Sequence, residues 1–385
     1  MSPAPRCLFW VQSLLGSGHL RRALVVAEAM AARGFQVTLV NGGPPGPWAA
    51  PPGVDLVQLP WVTARGGDFG DLADGSGRAY RDGPAEERRR MLLDLLDPAP
   101  AVVLTEMFPF GRRAFRAELL PWLDAVAGLR PRPVVCASVR DILVSKPDPS
   151  RYRWMVEACR AHYDRVFVHG DDRLLPFAAS FPPAGELGDR VVHTGFVLVA
   201  QPNERAGAAP AVLVSAGGGA VGERLLRAAL AARARTRYAA APWLLVGGHN
   251  LPPEAFASLT RDLPPGCVLE RHRPDLASLI GRCEVSVSQA GYNTVVEGLA
   301  AGARMVLVPF AAGEEDEQEQ RAARLVALGL AERVGEAEVD GERLAAAIDR
   351  AGARARPDPG RWSFAGGDRV AELIEALVRE RRRDA

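Results

Sequence analysis

Short apolar runs alternate with segments of helical period along this chain, and the pattern stops once, at a polar proline-bounded stretch, before starting again. Cys7–Val11 is the first such run, so a buried strand is expected there. Leu14–His19 is a turn with two glycines. Leu20, Ala23, Leu24, Ala27, Met30 and Ala31 then recur at helical spacing, and Gly34 suits a helix C-cap. Phe35–Val40 reads as the next strand, closed by Asn41-Gly42-Gly43-Pro44, and further strands are expected at Ala101–Leu104, Val134–Ser138, Arg165–Val168 and Val191–Thr194. Gln201–Pro210 has the composition of a linker. Beyond it come an apolar run at Ala211–Ser215, the turn Gly217-Gly218-Gly219 and a helix from about Gly222. Strands fit Trp243–Val246, Val268–Arg271, Val285–Ser288 and Met305–Val308.

Strand–helix alternation folds as a parallel sheet with helices on both faces. A chain of 385 residues is long for one core. The expectation is therefore an α/β chain of two alternating halves, each its own domain. Residues 1–200 form the first, 201–210 the linker and 211–365 the second, with a last helix in 366–385 that could pack back on the first domain. That helix ends in an Arg-Glu-Arg-Arg-Arg run, read as a solvated end, with contact to anionic lipid as the weaker alternative. Thr63–Pro84 is rich in Gly and Asp and lacks apolar period, and is expected as a flexible acceptor-side loop or as a disordered segment.

Composition narrows the function classes. With 48% apolar and 24% charged residues and a net charge of +1, the chain is ordinary for a globular protein and offers no bulk attraction for nucleic acid. Cys7, Cys136, Cys159, Cys267 and Cys283 are scattered without CxxC spacing, which argues against a disulfide framework or zinc site. No basic n-region with a cleavage site opens the chain, and no segment is long and uniformly apolar enough to span a bilayer. A cytoplasmic enzyme is the expectation.

The densest chemistry lies at Ser288-Gln289-Ala290-Gly291-Tyr292-Asn293-Thr294-Val295-Val296-Glu297, with Glu317-Gln318 downstream. A strand ending at Ser288 runs through a small-residue turn, where Gly291 allows close backbone approach and Asn293 suits an N-cap. The N–H groups and partial positive charge of the next helix would face a diphosphate. Helical side chains tilt towards the N-terminus, so Glu297 would lean back to a ribose diol. Glu317 and Gln318 offer polar groups to sugar hydroxyls. Gly217, Gly218 and Gly219, between strand and helix, have the arrangement of a phosphate loop. Together these residues describe a nucleotide-sugar site.

In the first half, His19 lies in the glycine turn at a helix N-terminus, with Gly16 and Gly18 beside it. Strand-end loops of doubly wound sheets face the ligand crevice. A neutral imidazole there could take a proton from a hydroxyl, and the helix N-terminus disfavours the imidazolium. Glu106 and Asp141 each follow an apolar run, and either could orient His19 or replace it as base. Arg112, next to Arg113, could hold an anionic acceptor group.

Ser288–Glu297, Glu317-Gln318 and Arg321-Ala322 resemble the donor-site signature of GT-B glycosyltransferases, in pattern nearest the bacterial peptidoglycan N-acetylglucosaminyltransferase group. Leu15–Arg22 and Thr105–Arg113 are similar to segments of a related group of predicted bacterial glycosyltransferases. The resemblance implies an α/β fold of two Rossmann-like domains facing a central cleft, a UDP-sugar donor, and an inverting transfer to a hydroxyl acceptor that the sequence does not identify. It implies that Glu297 holds the ribose, that Gln289, Asn293 and Thr294 flank the diphosphate, and that Glu317 and Gln318 read the sugar. His272 or Arg273 stands where relatives contact the base, usually with an apolar residue, and His249 is a further candidate on the nucleotide. The chain has no Asp-x-Asp, the usual metal-holding motif of transferases, so no metal and no cofactor beyond the UDP-sugar substrate are expected. A UDP-sugar hydrolase or epimerase on the same fold, or a non-catalytic nucleotide-sugar binder, are the alternatives. The Gly-Ser-Gly-His turn with Arg22 also resembles a bacterial UDP-sugar hydrolase.

Overall fold

The structure, a computed structural model, describes residues 4–14, 16–46, 48–65, 68–146, 148–199, 208–217, 222–248, 251–310 and 316–383. The chain divides into two compact units. The first comprises Met1–Asp172, Pro176–Val197 and Ala365–Ala385, the second Arg173–Leu175 and Leu198–Phe364.

The first unit is built from β1 (Arg6–Val11), α1 (Gly18–Ala32), β2 (Gln36–Asn41), β3 (Val54–Gln58), β4 (Val62–Arg65), β5 (Asp68–Asp74), α2 (Pro84–Asp94), β6 (Val102–Glu106), α3 (Arg116–Gly128), β7 (Val134–Arg140), α4 (Pro149–His162), β8 (Arg165–His169) and β9 (Val191–His193). Its parallel sheet has the order β3-β2-β1-β6-β7-β8-β9. All five β6 residues are buried, as a central strand covered on both faces requires. This is why β1 and β6 read as unbroken apolar runs and not as alternating patterns.

The second unit contains β10 (Val212–Ser215), α5 (Glu223–Arg233), β11 (Trp243–Val246), α6 (Pro253–Arg261), β12 (Cys267–Glu270), α7 (Leu276–Arg282), β13 (Val285–Ser288), α8 (Tyr292–Ala300), β14 (Met305–Leu307), α9 (Glu317–Ala327), β15 (Ala331–Arg333) and α10 (Gly341–Ala353). Its sheet order, β12-β11-β10-β13-β14-β15, is the Rossmann order. In each unit the sheet grows outward from its first strand and then reverses, so β1/β6 and β10/β13 are the topological switch points.

The last helix, α11 (Gly366–Arg383), belongs to the first unit. Val197 bridges Ala365, and the Gly366 N–H donates to the Phe196 carbonyl over 2.9 Å. A Cβ at Gly367 would stand 3.2 Å from Val25 Cγ1, so glycine lets this helix start close against α1. Arg33 then pairs with Glu372 and Glu375.

Thr63–Pro84 departs from the expected loop. β4 and β5 pair as an antiparallel hairpin, Ala73 bridges Ala79, and Val62, Ala64, Leu72 and Tyr80 are buried. Those apolar positions are too sparse to register as a period, and it is packing that recruits them. The proposed linker falls largely outside the described residues. β3 and β15, edge strands of mixed polarity, had no apolar run to mark them.

Candidate functional sites

In the first unit the C-terminal ends of β1 and β6 converge on one charged cluster. Gly16, at φ +68, turns the chain after β1, a conformation that favours glycine. α1 begins at Gly18, so His19 and Arg22 lie on one face of its first turn. Glu106 ends β6 and is fully buried. His19 Nδ1 stands 2.9 Å from Glu106 Oε2, and Arg22, buried as well, donates through Nη2 to Glu106 Oε1. The same Arg22 nitrogen lies 3.2 Å from His19 Nδ1.

These two approaches to Nδ1 exclude each other as hydrogen bonds, because one nitrogen cannot donate and accept at once. Burial alone would raise the Glu106 carboxyl, but His19, Arg22 and Arg112 together hold it well below the usual carboxylate range. An ionised carboxylate has no proton to give, so the 2.9 Å contact requires N–H on Nδ1. Nε2 is then the basic nitrogen. Burial lowers the imidazole to about 3, with Arg112 and Arg22 adding to the effect against Glu106. His19 is therefore neutral at physiological pH.

Arg112 adopts φ +58, and its Nε donates to the Gln12 carbonyl over 2.9 Å, which ties the segment after β6 to the end of β1. Met107, also at positive φ (65°), turns the chain directly after Glu106. Two non-glycine residues in this region, so near one cluster, are backbone strain of the kind that accompanies functional sites. Asp141 is buried beside Gly170 and accepts from the Ile142 N–H over 2.9 Å.

The sequence reading passed over a second layer. His169, the last residue of β8, is fully buried between two hydroxyls, Ser138 Oγ 2.7 Å from Nε2 and Thr194 Oγ1 3.0 Å from Nδ1. Burial holds it neutral down to about 3, Arg22 contributing and Glu106 opposing. The three residues are far apart in sequence, and the only signal for His169 was its place at a strand end.

In the second unit the equivalent switch point gathers the donor-site candidates. Gly217, at φ +72, follows β10, and a Cβ there would lie 3.2 Å from Gln289 Oε1. The glycine turn and the turn after β13 therefore touch. Gly218, Gly219 and His249 lie outside the described residues. Gly291 is the N-cap of α8 at φ −64, and a Cβ there would meet no atom within 4 Å. Neither backbone nor protein packing demands glycine at this position.

Asn293 is not the N-cap the sequence suggested. It is the second residue of α8, and its Oδ1 is buried without a hydrogen-bond partner among the described residues. Helical spacing puts Asn293 and the buried Glu297 on one face, directed back to the turn. Thr294 lies beside them in the same turn.

Glu317 and Gln318 open α9, with Glu317 buried. Gln318 Oε1 accepts from the Phe310 N–H over 3.1 Å, so its amide NH₂ is the group directed elsewhere. Arg321, named in the sequence motif but given no role, is buried and donates to the Ala290 carbonyl over 2.7 Å. This bond joins the two halves of the motif. Arg273 is committed elsewhere, with Nε and Nη2 on Asp275 at 2.8 Å each and Nη1 facing Glu270. Its guanidinium is thereby held by two carboxylates, whereas His272, the other candidate for the base, is exposed. Among the described residues no group of three or more His, Cys, Asp or Glu is arranged to hold a metal ion, and no helix is long and apolar enough to cross a membrane.

Residues 263–356 match the glycosyltransferase family 28 C-terminal domain, the segment that carries α8 and α9. The chain is 30% identical over 114 residues to the UDP-N-acetylglucosamine–N-acetylmuramyl-(pentapeptide) pyrophosphoryl-undecaprenol N-acetylglucosamine transferase of Agrobacterium fabrum. That alignment spans 28% of this chain and only 30% of the relative. Among solved structures, the glycotransferase of kitacinnamycin superposes with TM-score 0.65 at 19% identity, covering 98% of this chain and 100% of that one. A UDP-glucosyltransferase from Polygonum tinctorium gives 0.62 at 16%, covering 98% and 94%. MurG of Acinetobacter baumannii gives 0.59 at 16%, covering 97% and 100%. The fold is GT-B, with two Rossmann-like domains.

Proposed function

We propose that this chain, a GT-B protein that carries a family 28 glycosyltransferase C-terminal domain, transfers a hexose from a UDP-sugar to a hydroxyl acceptor, with inversion and without a metal ion. The observation that carries this reading is the buried Glu106 carboxylate 2.9 Å from His19 Nδ1, which leaves Nε2 as the proton acceptor. The acceptor hydroxyl gives its proton to Nε2 while its oxygen attacks the anomeric carbon from the face opposite UDP. The bond from that carbon to the diphosphate oxygen breaks, and UDP leaves with the electron pair.

Negative charge grows on the diphosphate as it leaves. The first-turn N–H groups of α8 and the backbone at Gly217 are the preorganised donors for it, and each donor of this type is worth about 3–4 kcal/mol in other enzymes. In this reading Glu297 bridges the ribose hydroxyls, Gln289, Asn293 and Thr294 flank the diphosphate, and Gln318 reads the sugar with Glu317.

Calorimetry with UDP tests the donor half. Glu297→Ala is expected to weaken UDP at least about tenfold, or about 1.4 kcal/mol, and unchanged affinity contradicts the ribose assignment. Full turnover is expected in chelator; a complete loss that Mg²⁺ restores contradicts the metal-free mechanism. UDP release at enzymatic rates with no acceptor present would make the protein a hydrolase.

A further inference from the structure

Arg22 lies one helical turn after His19, is buried, and takes the Glu106 oxygen that His19 does not. The mechanism above gives it no task. A fully buried carboxylate without a cation is pushed towards its neutral form. A neutral carboxylic acid could donate to Nδ1 and so impose the other imidazole tautomer. A guanidinium does not deprotonate in proteins, and a charge-assisted hydrogen bond from its Nη2 to Oε1 fixes which oxygen faces His19.

We infer that Arg22 is a positioning residue: by holding Glu106 through Oε1 it keeps the carboxylate ionised, presents Oε2 to His19 Nδ1, and so sets Nε2 as the base. The other charged or titratable groups around this cluster come from different elements. They are Arg112 after β6 and His169 at the end of β8, neutral between its two hydroxyls. Arg112 and Arg22 both oppose protonation of His19, whereas Glu106 favours it. Removing Arg22 therefore tips the balance towards imidazolium. The kinetic consequence rests on the proposed transferase reading; the tautomer does not.

The test is long-range ¹H–¹⁵N spectroscopy of the imidazoles in the full chain, with the His19 signals assigned by their loss in His19→Asn. The wild type is expected to keep a neutral Nδ1–H tautomer from about pH 8 to about pH 5, below the ordinary histidine midpoint. In Arg22→Met the fixed tautomer is lost and the midpoint rises. Turnover falls about a hundredfold, the scale of general-base catalysis, with donor KM little changed and the acid limb of the pH profile shifted upward. Because Arg22 acts through Glu106, Arg22→Met is expected to add almost nothing to the loss already caused by Glu106→Gln. A structural role would add its full effect in that background and move no midpoint. If Arg22→Met does not fold, Arg22→Gln carries the test: it keeps a hydrogen-bond donor without the charge, and the same loss of the fixed tautomer is expected. A wild-type-like His19 spectrum in the variant that folds overturns the inference. If the spectra change as described and no UDP-sugar is turned over, the positioning role stands and the transferase reading falls.

Discussion

Arg321 reaches from the second turn of α9 to the Ala290 carbonyl, 2.7 Å away, and thereby fixes the turn that opens α8 to the helix that carries Glu317 and Gln318. Two motifs separate in sequence are thus tied together. A buried hydrogen bond to a charged group contributes about 1.5–3 kcal/mol. Arg321→Met is expected to lower the Tm and to raise the donor KM together, measured by thermal unfolding and initial rates. A variant that loses stability but binds UDP-sugar normally would separate the turn from the site.

The two glycines of the donor turns should respond in opposite ways. Gly217→Ala puts a side chain at φ +72, a left-handed conformation that costs about 1–2 kcal/mol, and it also crowds Gln289. Gly291→Leu sits at φ −64 with no atom within 4 Å of its Cβ. It should leave unfolding unchanged and weaken UDP binding in calorimetry. Unchanged UDP affinity in Gly291→Leu would show that nothing approaches the backbone there.

A second buried ion pair supports the first unit. Arg88 Nε and Nη2 bond Glu118 at 2.6 and 2.8 Å, both residues are fully buried, and Tyr80 donates to the same carboxylate. Arg88 also reaches the Gly42 and Pro60 carbonyls. Glu118→Ala strands a buried guanidinium and is expected to cost about 3–5 kcal/mol. Tyr80→Phe should cost about 1 kcal/mol. The exposed Arg33–Glu372 pair should cost under about 1 kcal/mol when broken. Denaturant unfolding ranks the three, and a cost for Glu118→Ala as small as that of the surface pair would contradict the account of this network.

Stability should fall on the acid side because His169 is held neutral. Its folded value, about 3, lies below the unfolded value of 6.5. Between the two, the unfolded chain binds more protons, so the contribution is complete above about pH 6.5 and is lost as the pH falls towards 3. The slope is about 1.4 kcal/mol per pH unit for one such group. His19 and Glu106, both also depressed, act in the same direction. His169→Gln should flatten the decline between pH 6 and 4 in urea titrations, relative to wild type. An unchanged slope would mean that His169 charges without penalty.

Much of the fold was legible because parallel sheets covered on both faces favour unbroken apolar runs, and Cys7–Val11 in β1, Val102–Leu104 in β6 and Val212–Val214 in β10 are such runs. Edge strands β3 and β15 carry polar residues and gave no such signal. The β4–β5 hairpin was missed because its core contacts are sparse and arise only after collapse. At the sites, strand-end position pointed to Glu106 and to the α8 turn. His19 was legible as a partner for Glu106, but the other partners were not visible. Arg22, His169 and Arg321 act through tertiary geometry, and a sequence does not show which oxygen of a carboxylate an arginine holds. Asn293 misled for a related reason: its type suits a cap, but the cap fell two residues earlier, at Gly291.

If His19, oriented by Glu106, is the base for transfer from a UDP-sugar, its loss should cut turnover and spare the donor. UDP release from a UDP-sugar is measured against a panel of hydroxyl acceptors, wild type beside His19→Ala, with donor affinity followed in parallel by calorimetry. Acceptor-dependent UDP release is expected to drop by about a hundredfold or more in His19→Ala, with donor affinity unchanged. A His19→Ala enzyme that releases UDP at the wild-type rate would remove His19 from the role of base.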